Sequence, residues 1–97
     1  MELVIGVLRI TLRFPEVHSL KAKRGPLRKI MAQVRGHFDV AVAETGNQDK
    51  WQAAELGVAT VGSSAPVING VLDQVLNLVD RLGLAELLDH QIEIIHL

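Results

Sequence analysis

No cysteine occurs among the 97 residues. That excludes a disulfide framework, a thiolate metal site and a cysteine nucleophile. Tyrosine is absent as well, and the aromatic residues are only Phe14, Phe38 and Trp51. Any core must therefore be built from Val, Leu, Ile and Ala. No apolar run approaches the roughly 20 residues that span a bilayer, so no membrane partner is expected. The segment Met1 to Arg9 lacks the basic n-region and the small-residue cleavage site of a signal peptide. The expected location is the cytoplasm.

Chemical signatures are missing too. There is no Gly-x-x-x-x-Gly-Lys phosphate loop, and Ser63-Ser64 has no Gly-x-Ser-x-Gly context. His18, His37, His90 and His96 show no HxxxH spacing. His90 and His96 share strand parity but would stand about 20 Å apart. Neither an enzyme, nor a metal, nor a cofactor is expected.

What is present is a globular composition: 48% hydrophobic residues and a formal net charge of −1. A chain of this length makes one domain, 1–97, and buries roughly 60–70% of its unfolded surface. The near-zero charge hides an asymmetry. Residues 1–38 hold eight Lys and Arg against two acids, a balance of +6, whereas residues 39–97 balance to −7. Six of the cations, Lys21, Lys23, Arg24, Arg28, Lys29 and Arg35, fall within one segment. Such a cluster on an otherwise acidic chain points to an anionic partner such as RNA.

Residues 2–14 alternate with a period of two and predict a long strand. Val4, Leu8, Ile10, Leu12 and Phe14 share one face; Leu3, Ile5, Val7, Arg9, Thr11 and Arg13 share the other. Pro15 stops the strand, and Ser19 is a candidate helix N-cap. Leu27, Ile30, Met31 and Val34 recur at helical spacing, predicting a helix over about 26–36 that Gly36 ends. Pro26 leaves two forms open. One is a distorted turn over 20–25 followed by a helix from Pro26; the other is a kinked helix from Ser19.

Phe38, Val40 and Val42 alternate with Asp39, Ala41 and Ala43 as a second strand. Residues 44–49 carry turn residues, and a third strand runs from Trp51 or Gln52 to Val61. A second helix follows Gly62-Ser63-Ser64 and Pro66. Ile68, Val71, Leu72, Val75, Leu78, Val79 and Leu82 fill its buried side, and Gly83 ends it. Residues 84–89 read as a loop and His90–Leu97 as a fourth strand.

The order β-α-β-β-α-β predicts an α+β, ferredoxin-like sandwich: a four-stranded antiparallel sheet with two helices on one face. The other face would be open and apolar at Leu3, Ile5, Val7, Ile95 and Leu97, which favours a homodimer. Arg9 and Arg13 lie on that face and are expected to pair with Glu93, Glu55 or Asp39. Strand one offers no stacking aromatics, so readout in the manner of an RNA-recognition motif is not expected. Trp51 and Gln52 end a polar hairpin tip and are candidate interface residues.

At His18-Ser-Leu-Lys-Ala-Lys-Arg24, Val42-Ala-Glu44, Gln48-Asp-Lys-Trp51-Gln52 and Leu56-Gly-Val-Ala59, the chain resembles the YlxP-like proteins, domain of unknown function 503. The resemblance covers nearly the whole chain and implies the same ferredoxin-like fold. Members often lie beside translation and transcription factors in bacterial gene clusters, which implies a ribosome- or RNA-related role by association. Two departures stand out. Gly25-Pro26 interrupts what is usually an unbroken helix, and Asn47 stands where relatives often show His. The family has no assigned catalytic residue to carry over.

The resulting expectation is a non-catalytic accessory protein, RNA- or ribosome-associated through Lys21, Lys23, Arg24, Arg28, Lys29 and Arg35. The alternative is a dimeric small-molecule-binding or regulatory module with a site at the protomer interface near Trp51 and Gln52.

Overall fold

Alternation along the chain becomes sheet in the computed structural model, which describes residues 2–97. The elements are β1 (Val4–Arg13), α1 (Leu20–His37), β2 (Ala41–Gly46), β3 (Ala53–Gly62), α2 (Ala65–Leu82) and β4 (Glu86–His96). The sheet order is β2-β3-β1-β4, and every neighbouring pair is antiparallel. This is the ferredoxin-like α+β architecture.

Period two fixes the register. Leu8 pairs with Val58 on one side and Ile92 on the other, and Ile10 pairs with Leu56. These residues turn one face of the sheet toward both helices. The core there joins Val4, Leu8, Ile10, Leu12 and Phe14 of the first strand and its end to Leu27, Ile30 and Val34 of α1 and to Ile68, Leu72, Val75 and Val79 of α2. Gly6 lies under α2, where a Cβ would collide with Ile68 and press on Leu72. The closest approach of helix to sheet therefore depends on that missing side chain.

The second helix follows local rules at its two ends. Ser64 caps its start by accepting from the Val67 N–H, Pro66 stands in its first turn, and Gly83 ends it at φ 64°. The first helix is less regular. Ser19 accepts from the Ala22 N–H at 3.0 Å, so α1 begins at Leu20 and carries Pro26 inside. The turn-then-helix form is thereby ruled out. Pro26 removes the N–H that would reach the Ala22 carbonyl, and Ala22 is exposed to water. A proline also crowds the Cβ of the residue before it in helical geometry; Gly25 has none.

Several boundaries differ from the sequence reading, among them the end of β2, which runs to Gly46 into the segment read as a turn. Gly36 does not end α1, which continues to His37 with Phe38 as an extended C-cap. Phe38 therefore belongs to the turn, and β2 begins at Ala41. β4 starts at Glu86 rather than His90, because Leu87 and Glu86 pair with Leu12 and Arg13 beyond a bulge at Thr11/Leu12. An edge strand with polar residues facing water carries little alternation to read. Among the described residues, no helix is long and apolar enough to cross a membrane.

Candidate nucleic-acid interface

The cations of the basic segment divide into three groups by what they touch. At 3.6 residues per turn, Lys21, Arg24, Arg28 and Arg35 fall within about 60° of one another around α1, and Lys29 lies about a quarter turn away. Lys23, Leu27, Ile30 and Val34 form the buried stripe, about a third of a turn further round.

Lys23 is therefore not part of an exposed basic face, contrary to the sequence reading. It is only 3% exposed. Its ammonium donates to the carbonyls of Asn47 at 3.0 Å, Lys50 at 2.7 Å and Ala53 at 3.0 Å. These bonds use all three of its protons. Glu44 Oε2 lies 3.3 Å from the same nitrogen and has no hydrogen-bond donor. The carboxylate supplies opposite charge while the carbonyls take the protons. A buried ammonium needs that full set of partners.

Gln52 is also committed elsewhere. Its Nε2 donates to the carbonyls of Pro15 at 3.1 Å and Val17 at 3.0 Å, and its own carbonyl accepts from the Phe14 N–H at 2.8 Å. It fastens the β2–β3 connection to the β1–α1 connection, so its Nε2 is committed within the chain. Two of the four segments that carry the family resemblance thus form one clasp, Lys23 from His18–Arg24 and Gln52 from Gln48–Gln52. Asn47 adopts φ 61° in this loop, a left-handed conformation that Asn tolerates well. Trp51 stands in the clasped loop with 54% of its surface exposed.

Arg35 is exposed but donates to the Val42 carbonyl at 2.8 Å. It ties α1 to the outer edge of β2. Lys21, Arg24, Arg28 and Lys29 remain exposed, and none joins an ion pair among the described residues. No acid occurs anywhere in α1.

The open sheet face has a different character. Arg9 lies 3.5 Å from Glu55 and donates to Gln91 at 3.0 Å, while Thr45 donates to Glu55 at 2.8 Å. Arg13 lies 3.8 Å from Glu86, a partner the sequence reading did not name. Beside this network runs a trough of about 840 Å³ over Ala41, Ala43, Gly57 and Ala59. Ile5 and Val7 are half-buried on this face, while Leu3, Val61, Ile95 and Leu97 are exposed at one end of it. Trp51 and Gln52 do not line the trough.

Comparison with known proteins follows the same lines. Residues 5–92 match the model of DUF503, a protein family of unknown function. The uncharacterized protein YlxP of Bacillus subtilis (strain 168) is 40% identical over 62 residues, which cover 64% of this chain and 67% of that protein. Two solved structures share the fold alone. LarC2, the C-terminal domain of a cyclometallase involved in the synthesis of the NPN cofactor of lactate racemase, superposes with a TM-score of 0.54 at 14% identity. That match covers 96% of this chain but only 55% of the LarC2 chain. The de novo designed protein Foldit4 superposes with a TM-score of 0.52 at 16% identity, covering 99% of this chain and 97% of its own. With nearly its whole length matched by the family model, the chain belongs to the DUF503 family.

Proposed function

We propose that this chain is a non-catalytic accessory protein that binds RNA, in the setting of the ribosome, through the exposed side of α1. One observation carries the reading. Lys21, Arg24, Arg28 and Lys29 are exposed and unpaired on a helix without a single acid. Lys21 lies in its first turn, the positive end of the helix dipole, where a cation costs roughly 0.3–1 kcal/mol, and Arg24 follows in the second turn. The fold obtains nothing visible in return. Residues that break a local rule without structural compensation are where function is expected.

Binding to total ribosomal RNA, followed by fluorescence anisotropy, tests this. Four neutralised phosphates imply a salt slope near −2.8, or about 50-fold weaker binding at 200 mM than at 50 mM salt. Lys21→Glu/Arg24→Glu should abolish that binding. Equal binding by wild type and variant, or none by either, would sink the proposal. Lys23 is left intact because its loss would act on the fold.

A second reading rests on the open sheet face. Four strands spaced at about 4.8 Å, β2 with six residues and the others with ten or eleven, present roughly 600 Å². Two copies face to face would bury about 1,200 Å², the lower end of the standard interface range. The trough over Ala41, Ala43, Gly57 and Ala59 would then become a cavity for a small ligand between protomers. Sedimentation equilibrium should find a dimer that Val61→Asp/Ile95→Asp dissociates. A wild type that stays monomeric across a concentration series ends this reading.

A further inference from the structure

We infer that the loop from Asn47 to Ala53 is a preorganised platform on which Trp51 stacks an unpaired RNA base. The inference rests on the RNA reading above and names a second contact for it.

The first ground is how the molecule disposes of its aromatic rings. Phe14 is buried at 2% exposure, and Phe38 packs partly against the core. Trp51, the largest apolar side chain present, is left 54% exposed. A domain that must build its core from aliphatic residues has left its best hydrophobic group in water.

The second ground is how firmly the loop is held. Three of its carbonyls, from Asn47, Lys50 and Ala53, are bound by the buried ammonium of Lys23. The Lys50 N–H donates to the Asn47 carbonyl at 3.0 Å, closing the turn. The Gln52 side chain and carbonyl bind the chain at Pro15, Val17 and Phe14. The residues on both sides of Trp51 are thus fixed by side chains buried or half-buried beneath them, while the ring remains in solvent. Holding an aromatic group in place before contact lowers the ordering cost of binding.

The third ground is what the loop is fastened to. Lys23 binds the Lys50 carbonyl just before Trp51 and so ties this loop to the beginning of α1, the helix whose exposed side carries the unpaired Lys21 and Arg24. An aromatic platform on a loop fastened to a cation-bearing helix suits single-stranded nucleic acid: the ring takes a base, and the cations take phosphates along the same strand. A duplex keeps its bases stacked on one another and offers the ring nothing. Gln48, Asp49 and Lys50, which precede Trp51 in the loop, are polar and exposed, so this tip lacks the apolar surround typical of a protein hot spot.

Trp51 is the only tryptophan, so intrinsic fluorescence reports on this contact directly. The probes are a single-stranded oligoadenylate of about twelve nucleotides and a blunt RNA duplex with the same number of phosphates. The single strand should quench Trp51, and the duplex should not. Trp51→Ala should weaken single-strand binding about tenfold or more while leaving the salt slope unchanged. Lys21→Glu/Arg24→Glu should abolish single-strand binding, and the quenching with it. Salt-dependent binding without quenching, and equal in Trp51→Ala, would overturn the stacking inference and leave the RNA reading standing. If wild type binds neither probe nor ribosomal RNA, both fall, and Trp51 belongs to a protein contact.

Discussion

The two helices pack on the same sheet face, both span 18 residues and both begin at a serine cap, yet their sequences answer to different demands. α2 has Pro66 where proline is harmless, an apolar stripe of five buried residues, a terminal Arg81 and a left-handed Gly83. Each of these favours a helix at that place. α1 carries proline in its interior, glycine before it, a cation at its positive end, and no glycine cap. A helix that serves only the core has no reason to differ so much from its twin. The contrast separates what α1 does for the fold, through Leu27, Ile30 and Val34, from what its outer side is for.

The largest test of that contrast is Lys23, the one cation of α1 that belongs to the fold. Lys23→Met keeps the aliphatic stem but leaves the carbonyls of Asn47, Lys50 and Ala53 without their donor and Glu44 without its counter-charge. The expected loss is about 3 kcal/mol, because unpaired buried polar groups are costly. Urea denaturation measures it, and the Trp51 emission should shift as the loop loosens. A loss below about 1 kcal/mol would mean that the clasp is not structural.

Pro26 is expected to act in the opposite direction. Pro26→Ala restores an N–H facing the Ala22 carbonyl and should stabilise the protein by about 1–3 kcal/mol, less whatever packing the ring provides. Thermal unfolding should show a higher Tm. An unchanged or lower Tm would mean that the ring, half-buried beside Phe14 and Leu84, contributes as much packing as the helix loses in hydrogen bonding.

The architecture was legible because both periodicities are clean. Val4 to Phe14 alternate without a break in the buried series, and Ile68 to Val79 repeat at helical spacing. The helix boundaries at Gly36 and Phe38 were not legible, since a glycine that adopts ordinary helical geometry looks the same in sequence as one that ends a helix. The clasp was half legible. Counting back from Val34, Ile30 and Leu27 lands the buried stripe on Lys23, and a charge on an apolar stripe signals a buried partner. That partner lies more than twenty residues away in a loop whose carbonyls have no side-chain signature. The clasp role of Gln52 was not legible for the same reason: its acceptors are the backbone of Pro15 and Val17. Backbone acceptors leave no trace in composition or spacing.

The smallest expected effect discriminates best, because it sets stability and binding against each other. Lys21→Glu/Arg24→Glu replaces two cations in the first two turns of α1, Lys21 at the positive end of its dipole, with two acids. Neither cation has an ion-pair partner to lose, so the variant should gain about 1 kcal/mol in stability, readable as a higher urea midpoint at low salt. The same variant should lose RNA binding. If these residues served the fold, stability and binding would fall together. If they were ordinary solvated groups, stability would rise and binding would not change. A more stable protein that no longer binds RNA is the outcome that only a functional basic face predicts.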